Sequence, residues 1–230
     1  MSDGNLILFA GGGTGGHLYP SLSVARALRE VAPGMGFVFF GTDRDIDARI
    51  LSDAGEELVQ QPVRPPQLKK PWTLPVFGAA WIRSCRKVRS FISAHQPLAV
   101  IGTGGYASAP AVVVAAKAGI PTCLISPDAV PGKANRFLAN RANVIYAQWQ
   151  IARQSFPASA NVKITGCPIR SAFREASREA GIARFGLDPY RKTLLVTGAS
   201  QGARTINDSI LALLGQFRAF EDRWQILHLA

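Results

Sequence analysis

The sequence predicts an α/β fold with a mostly parallel, doubly wound sheet, followed by the beginning of a second Rossmann-like domain. Short apolar runs alternate with stretches of helical spacing, which is the pattern of successive β–α–β units. Glycine-rich loops follow three of the apolar runs, at Gly11–Gly16, Gly102–Gly105 and Gly198–Gly202. The hydrophobic content of 47% is sufficient for a buried core.

The first strand, loop and helix predict an anion site. Asn5–Ala10 is a short apolar run that indicates a buried parallel strand. The glycines of Gly11–Gly16 follow it, and His17 closes the loop. Pro20 is expected in the first turn of a helix that includes Ser21–Leu28. Glycines let a ligand approach the backbone, and the amides at a helix start point toward it.

The rest of the chain is predicted from the same alternation. Further strands are expected at Phe37–Gly41, Glu57–Gln61, Leu98–Gly102, Pro121–Ile125, Asn143–Ala147 and Val162–Thr165. Helices are expected at Arg44–Ala54, Trp72–Ala94, Ala107–Ala118 and Pro131–Asn140. Strands that alternate with helices in this way form parallel sheets with right-handed crossovers, and ligands bind at the carboxyl ends of the strands.

The pattern changes after Gly166. Pro168–Gly186 is predicted to be helical, Thr193–Thr197 to be a strand and Arg204–Phe217 to be a helix, before a last strand at Trp224–Ala230. This unit repeats the order of the opening one. Two strands and one helix cannot bury a sound core, so the second domain is predicted to be incomplete.

Charge is distributed unevenly. The net charge is +11, and Leu58–Arg174 contains fifteen Lys and Arg residues with Asp128 as its only acid. Such a segment favours a polyanionic partner, either a nucleic acid, an anionic membrane or a phosphorylated substrate. Charge alone does not select among them.

Targeting and metal signals are missing from the sequence. The first residues do not form a signal peptide, and no apolar run is long enough to cross a bilayer. Cys85, Cys123 and Cys167 have no metal-binding spacing and are expected to be reduced, mostly buried thiols of a cytosolic protein. We expect no metal and no cofactor.

Four motifs in a fixed order resemble the bacterial MurG family of glycosyltransferases. They are GGGTGGHLYP at Gly11–Pro20, GTGGYASAP at Gly102–Pro110, GCPIR at Gly166–Arg170 and GASQGARTIN at Gly198–Asn207. The resemblance implies a GT-B fold, with an acceptor and membrane-binding domain at 1–166 and a linker and partial donor domain at 167–230. The family's own chain is longer.

The same resemblance implies a function. The family transfers N-acetylglucosamine from UDP-N-acetylglucosamine to the polyprenyl-diphosphate acceptor lipid I. This forms lipid II for peptidoglycan, with inversion of the anomeric carbon and without a metal. The implied location is the cytoplasmic face of the bacterial cell membrane, peripherally bound, with no nucleic acid as partner. An alternative is a non-catalytic acceptor and membrane subunit that needs a separate donor-domain partner.

The sequence departs from the family in two motifs. The family's His-Glu-Gln-Asn run is replaced by Ile125–Asp128, of which only Asp128 approximates a family residue. Cys167 replaces the Asn of the linker motif, although Pro168 and Arg170 remain. The first change affects acceptor handling and catalysis, and the second matters less.

His17 is the predicted catalytic residue. An imidazole can accept a hydroxyl proton near neutral pH, and a sugar hydroxyl loses its proton as it attacks the anomeric carbon. The alternatives are a helix-cap histidine with a structural role, or Asp128 as the base.

The resemblance to the MurG family assigns the two substrates to the loops. We expect the donor to contact Thr14, Gly15, Gly16, Arg170, Ser200, Gln201 and Gly202. In this set, Arg170 can offset the charge on the leaving diphosphate. We expect the acceptor diphosphate to contact Gly13, Thr14, Gly104, Gly105, Tyr106, Ser108 and Asp128. Arg170 could instead be a solvated residue at a helix start, and the second loop a simple tight turn.

The helix predicted over Trp72–Ala94 has a mixed surface. Leu74, Phe77, Trp81, Cys85, Val88 and Ile92 have helical spacing and are expected to face the core. The predicted membrane contacts are Lys69, Lys70, Trp72, Val76, Arg83 and Arg86. A basic amphipathic helix with aromatic residues is typical of an anionic membrane interface.

Two other classes of protein share single features with this sequence. A nucleic-acid-binding protein is supported only by the basic segment, and the sequence contains no recognition motif for that class. A nicotinamide-dependent dehydrogenase would use the first glycine loop and an acid after the second strand, where Asp43 and Asp45 lie. The glycines are denser than that fingerprint requires, and they end in His17.

Overall fold

The computed structural model describes residues 5–66, 70–198 and 202–229. The chain divides into two compact units, residues 1–170 and residues 171–230. Each unit is described by itself.

The first unit contains a seven-stranded sheet in which every pair of neighbouring strands is parallel. Its strands are β1 (Leu6–Ala10), β2 (Gly36–Gly41), β3 (Leu58–Gln60), β4 (Ala99–Gly102), β5 (Thr122–Ser126), β6 (Val144–Ala147) and β7 (Val162–Ile164). The strand order is β3-β2-β1-β4-β5-β6-β7, so the direction of winding reverses between β1 and β4. Ligands of open parallel sheets bind at such a reversal, beyond the carboxyl ends of the strands.

Helices cover both faces of this sheet. They are α1 (Gly15–Val31), α2 (Asp45–Asp53), α3 (Leu74–His95), α4 (Gly105–Lys117) and α5 (Lys133–Leu138). Short 3-10 helices lie at Pro71–Thr73, Ala139–Arg141 and Gln150–Ser155. Alternate residues of β1 face opposite layers. Ile7 and Phe9 pack with α1 and α2, whereas Leu8 packs with α3, α4 and α5.

The start of α1 differs from the sequence prediction. The helix begins at Gly15, so Pro20 lies in its second turn and is buried rather than in the first turn. The glycine loop is shorter than expected because the helix already includes Gly15 and Gly16. Within the loop, only Gly12 and Gly13 have positive φ, at 141° and 81°. Pro20 gives up the one intrahelical hydrogen bond that its missing N–H would donate.

The second unit contains a two-stranded parallel sheet of β8 (Lys192–Thr197) and β9 (Trp224–Leu229). Its helices are α6 (Ala172–Glu175), α7 (Arg178–Phe185) and α8 (Arg204–Phe217), followed by a 3-10 helix at Arg218–Phe220. Among the residues that the structure describes here, Val196 is the only buried hydrophobic side chain, at 8% exposure. Leu211 and Leu195 remain 63% and 56% exposed.

Pro168–Gly186 was predicted to be helical, and the structure has two short helices there rather than a continuous one. Ala176 and Ser177 are extended between α6 and α7. The Ser177 hydroxyl accepts a hydrogen bond from the Ala180 amide at 3.1 Å. A serine that satisfies an otherwise unpaired amide favours a new helix start over continuation of the preceding helix.

None of the helices in the described ranges has the length and apolar character needed to cross a membrane.

Candidate active site

The candidate site lies at the reversal between β1 and β4. The helix α1 starts after β1, and α4 starts after β4, so two helix N-termini meet at one edge of the sheet. The first turn of a helix leaves its amides without intrahelical partners. Neither helix has an acid in its first turn, so both ends are suited to an anion.

His17 lies in the first turn of α1 between the two loops. Its Nδ1 is 3.1 Å from the Gly12 carbonyl oxygen and 3.1 Å from the Thr14 hydroxyl. A carbonyl can only accept, so we assign the hydrogen of the neutral ring to Nδ1. Nε2 then carries the lone pair, and it has no hydrogen-bond partner among the described residues. A side chain in this state can accept a proton at Nε2.

The second loop forms one wall around His17. A Cβ on Gly104 would lie 3.2 Å from Cδ2 of His17, and a Cβ on Gly105 would lie 3.1 Å from its Cε1. Both glycines also have positive φ, at 94° and 69°. A side chain at either position would therefore be strained and would crowd the imidazole.

A buried carboxylate holds the first loop. Both oxygens of Asp47 accept the Gly13 amide, at 2.8 and 2.9 Å. Oδ2 also accepts the Thr42 amide at 2.8 Å and the Thr42 hydroxyl at 2.7 Å. Asp47 has no solvent exposure. Its hydrogen bonds fix the loop to the start of α2.

The other groups around Gly13 are held as well. The Arg44 guanidinium donates to the Gly13 carbonyl oxygen at 3.0 Å. The Tyr106 hydroxyl lies 3.5 Å from the position that a Cβ on Gly13 would occupy. Gly13 was predicted to contact the acceptor diphosphate, but in this structure its amide hydrogen is already donated to Asp47.

The remaining predicted acceptor contacts differ in their access to solvent. Thr14 is exposed, and Tyr106 is partly exposed. Ser108 is fully buried, and its hydroxyl donates to the Gly105 carbonyl at 2.9 Å, so it does not face the loop surface. Asp128 is exposed beyond the end of β5, the neighbour of β4.

Asp128 also lies close enough to Cys167 to affect it. Burial, and secondarily the negative charge of Asp128, raises the pKa of the Cys167 thiol above its usual value. The GCPIR segment therefore comes near the end of β5.

Arg170 and the first turn of α1 are brought together. The Arg170 guanidinium lies 4.7 Å from the centre of the Tyr19 ring, a cation–π distance. That ring also contacts the first turn, because a Cβ on Gly15 would lie 3.0 Å from Tyr19 Cε2. Gly16 is exposed at the same turn. The predicted donor residues of the first unit are thus neighbours.

The third glycine loop belongs to the second unit. It connects β8 to α8, as the first loop connects β1 to α1. Gly202 has a φ of 71°, and its carbonyl carbon lies 2.6 Å from the position of a Cβ on Gly198. The loop therefore needs glycine at both ends. Ser200 and Gln201, predicted to contact the donor, lie outside the described residues.

The predicted membrane contacts lie on and before α3. Trp72 is 71% exposed, and Val76 is 61% exposed. Arg83 and Arg86 are also exposed. Val76 and Arg83 are seven residues apart, so they lie on one face of the helix. Lys70 is exposed, and Lys69 lies outside the described residues.

The opposite face of α3 packs against the sheet. Val88 and Ile92 are buried, and Trp81 and Cys85 pack partly against the core. Leu74 was predicted to face the core but is 42% exposed. It is the first residue of α3, beyond the end of the packed stripe.

The sequence reasoning missed Asp47, although a signal for it was present. Asp47, Ile50 and Leu51 have the i, i+3, i+4 spacing of one helix face, and all three are buried. An acid on an apolar helix face indicates a buried carboxylate with partners. Asp43 and Asp45, the acids that were predicted to follow the second strand, are both exposed.

Asn135 was also missed. Its Nδ2 donates to the Ile125 carbonyl oxygen at 3.2 Å, and it lies 3.6 Å from the position of a Cβ on Gly104. The Oδ1 of this buried side chain, like the buried hydroxyl of Ser126, has no hydrogen-bond partner among the described residues. Unpaired buried polar atoms beside a cleft are suited to a ligand or ordered water.

Comparison with known proteins gives the context of this site. The family described as "Glycosyltransferase family 28 N-terminal domain" matches residues 7–147. A Moorella thermoacetica protein is 36% identical over 224 residues, and a Leifsonia xyli protein is 39% identical over 227 residues. Both are named UDP-N-acetylglucosamine–N-acetylmuramyl-(pentapeptide) pyrophosphoryl-undecaprenol N-acetylglucosamine transferase.

The matches cover most of this chain but only part of each relative. They include 94% and 96% of this chain, and 58% and 61% of the respective relatives. The crystal structure of Acinetobacter baumannii MurG superposes with a TM-score of 0.67 at 20% identity, covering 98% of this chain and 66% of that one. The predicted fold class and the predicted resemblance to MurG are confirmed.

Proposed function

Because the chain belongs to glycosyltransferase family 28 through its N-terminal domain, we propose that it carries the acceptor half of a MurG-like N-acetylglucosaminyltransferase. The donor would be UDP-N-acetylglucosamine, and the acceptor would be lipid I, giving lipid II for peptidoglycan. The observation that carries the proposal is the position of His17. It stands between two glycine loops at the reversal of the sheet, with Nε2 unpaired among the described residues.

The reaction assigns one chemical task to His17. The acceptor sugar hydroxyl attacks the anomeric carbon of N-acetylglucosamine, and the bond from that carbon to the UDP oxygen breaks. The hydroxyl proton passes to Nε2 of His17, and UDP leaves with the bonding electron pair. Because attack and departure occur on opposite faces, the anomeric carbon inverts. General bases contribute about 10²–10⁴-fold to such reactions.

The acceptor diphosphate is assigned to the starts of α1 and α4. With the Gly13 amide bonded to Asp47, the donors for it would be the Thr14 hydroxyl, the amides of Gly104 and Gly105, and the Tyr106 hydroxyl. Asp128 would contact a neutral part of the acceptor, because a carboxylate repels a diphosphate.

The donor diphosphate is assigned to Arg170 and the first turn of α1. The cation–π contact with Tyr19 keeps the Arg170 guanidinium beside Gly15. Arginine can form paired hydrogen bonds with phosphate oxygens and can offset the charge that develops on departing UDP.

Membrane binding is assigned to the exposed face of α3 and the segment before it. Trp72 and Val76 would enter the interface, while Lys70, Arg83 and Arg86 would contact anionic head groups. This would place the acceptor site at the cytoplasmic face of the bacterial membrane, where the protein is peripherally bound. The same basic surface would not serve nucleic acid.

The donor domain is the incomplete part of this proposal. We assign residues 1–166 to acceptor and membrane binding, and residues 167–230 to the linker and the start of the donor domain. Val196 is the only buried hydrophobic side chain among the described residues of the second unit, which favours the need for further donor-domain residues. A second candidate function follows, that of an acceptor and membrane subunit whose donor domain comes from another chain.

Transfer of labelled N-acetylglucosamine to lipid I tests the proposal. We expect very little transfer by the 230-residue chain alone and much more after addition of the C-terminal region of a full-length relative. Normal turnover by the chain alone would show that the second unit is sufficient. Absence of transfer in the mixture, together with absence of lipid I binding by the chain, would refute the acceptor role.

A further inference from the structure

One peptide group connects the buried carboxylate of Asp47 to the imidazole of His17. The Gly13 N–H of this group donates to both oxygens of Asp47, at 2.8 and 2.9 Å. The Gly12 carbonyl oxygen of the same group lies 3.1 Å from Nδ1 of His17. We propose that Asp47 is a positioning residue for His17 and acts on it through the Gly12–Gly13 peptide.

The effect follows from the polarisation of hydrogen-bonded chains. A carboxylate that accepts the N–H of an amide shifts electron density toward the carbonyl oxygen of that amide, and a low local dielectric strengthens the effect. The Gly12 oxygen therefore becomes a better acceptor for the Nδ1 hydrogen. This fixes the tautomer that presents its lone pair at Nε2, and it favours the positive ring that forms when Nε2 takes up a proton.

The peptide cannot easily turn over and lose this arrangement. A Cβ on Gly12 would lie 2.2 Å from Asp47 Oδ2, so the loop passes directly over the carboxylate. Arg44 holds the next carbonyl, that of Gly13, at 3.0 Å. The remaining hydrogen bonds of Asp47 come from the amide and the hydroxyl of Thr42. All of its partners donate, which suits an ionised carboxylate.

No proton moves through the peptide. In the transfer step the hydroxyl proton goes to Nε2, the Nδ1 hydrogen stays on the ring, and Asp47 stays ionised. The role of His17 as the base rests on the proposed function, but the hydrogen-bonded connection exists without substrate. The two claims can therefore fail separately.

Nuclear magnetic resonance of the wild-type chain gives the first test. The chain contains three histidines, so the ring signals of His17 can be assigned by their loss in His17→Gln. When the ring is neutral, we expect its hydrogen on Nδ1. We also expect the Gly13 amide signal to shift with pH in step with the His17 ring, and this shift to disappear in His17→Gln.

The comparison of the wild type with His17→Gln also controls for the other ionisable groups near the loop, whose titration could shift the Gly13 signal. Asp47 belongs to α2 and Arg44 is the N-cap of that helix, Tyr106 belongs to α4, and Tyr19, with Arg170 over its ring, belongs to α1. All of them remain in His17→Gln. A Gly13 signal that ignores the titration of His17, or a ring with its hydrogen mainly on Nε2, would overturn the proposal.

Asp47→Asn gives the second test, with Asp45→Asn as the matched control. Asp45 lies on the same turn of α2 and is exposed. We expect Asp47→Asn to shift the neutral ring toward a mixture of tautomers, and Asp45→Asn to leave it unchanged. In the completed enzyme, Asp47→Asn should lower kcat by roughly ten-fold with a smaller change in KM. Equal tautomer populations in the folded variant and the wild type would contradict the proposal. If the variant does not fold, the wild-type titration decides.

Discussion

Ser21 donates its hydroxyl hydrogen to Thr103 across a buried contact of 3.0 Å. The Ser21 hydroxyl also lies 3.0 Å from the His17 carbonyl oxygen. The Thr103 hydroxyl lies 3.4 Å from the Ala10 carbonyl oxygen. These contacts join the first turns of α1 to the ends of β1 and β4. The backbone that carries His17 is therefore fixed to the sheet itself.

Gly11→Ala tests how tightly this junction is packed. The new methyl would lie 2.1 Å from Oγ1 of Thr103, which Ser21 holds in place. We expect the free energy of unfolding to fall by about 1–3 kcal/mol, the usual range for overpacking. Denaturant titration measures it.

Two further variants check the cause. A Cβ on Gly34 meets no described atom within 4 Å, so Gly34→Ala should change stability by less than about 0.5 kcal/mol. Thr103→Ala should reduce the cost of Gly11→Ala, because it removes the clashing oxygen. Strict additivity of the two changes would show that the contact with Thr103 is not the cause.

His17→Ala in a chain completed with its donor region should lower kcat by about 10²–10⁴-fold. Acceptor affinity should change much less, because the amides of both loops remain. His17→Asn should be equally slow, since an amide cannot take up the proton at neutral pH. Steady-state kinetics with lipid I measures both variants. Near-full kcat in His17→Ala, with loss of activity in Asp128→Ala, would transfer the role to Asp128.

The exposed face of α3 should bind anionic vesicles. Co-sedimentation with vesicles rich in phosphatidylglycerol should decrease as salt increases, because salt screens the attraction of Arg83 and Arg86 to the head groups. Trp72→Ala combined with Val76→Ala should weaken binding further. Val31→Ala is the control, because Val31 is 79% exposed at the end of α1. Tight DNA binding without vesicle binding would reverse the assignment.

Cys123 should make stability depend on alkaline pH. Burial raises the pKa of its thiol from 9.0 to about 11. Below pH 9 the thiol is protonated in both states, and the contribution to stability is fully present. Between pH 9 and about 11 the unfolded thiol ionises while the folded thiol does not, so the contribution is lost as pH rises.

Comparison with Cys123→Ala isolates this effect. The stability advantage of the wild type over the variant should shrink from pH 9 to about 11 in thermal unfolding. Val144→Ala is the control, because Val144 pairs with Cys123 across the sheet and carries no ionisable group. The difference in stability between the wild type and Val144→Ala should therefore stay constant over the same pH range. Parallel curves for wild type and Cys123→Ala would contradict the prediction.

The sequence predicted most of the helices and strands because their signals are local. Phe37–Gly41 was predicted as a strand and Arg204–Phe217 as a helix, and the structure agrees within one residue. Apolar spacing and glycine loops determine such elements at short range. The position of Pro20 was wrong because proline at a second turn is rarer than at the first.

The contacts of the site were harder to predict because they join distant residues. Asp47 accepts a hydrogen bond from Gly13, and Thr103 accepts one from Ser21. Neither hydrogen bond can be predicted from the periodicity of the sequence. Family motifs identified the loops but not the groups that hold them. Ser108 illustrates the opposite error, since it lies within a motif while its hydroxyl turns into its own helix.

The strand β1 is synthesised before both of its neighbours in the sheet, β2 and β4. During translation β1 can pair with β2 early, but its other edge stays open until β4 has left the ribosome. Non-local pairing of this kind is slow and leaves apolar strand edges exposed to other chains. The position of β1 between β2 and β4, which brings α1 and α4 together at the site, thus leaves one edge of this strand unpaired in the nascent chain until Gly102 has emerged.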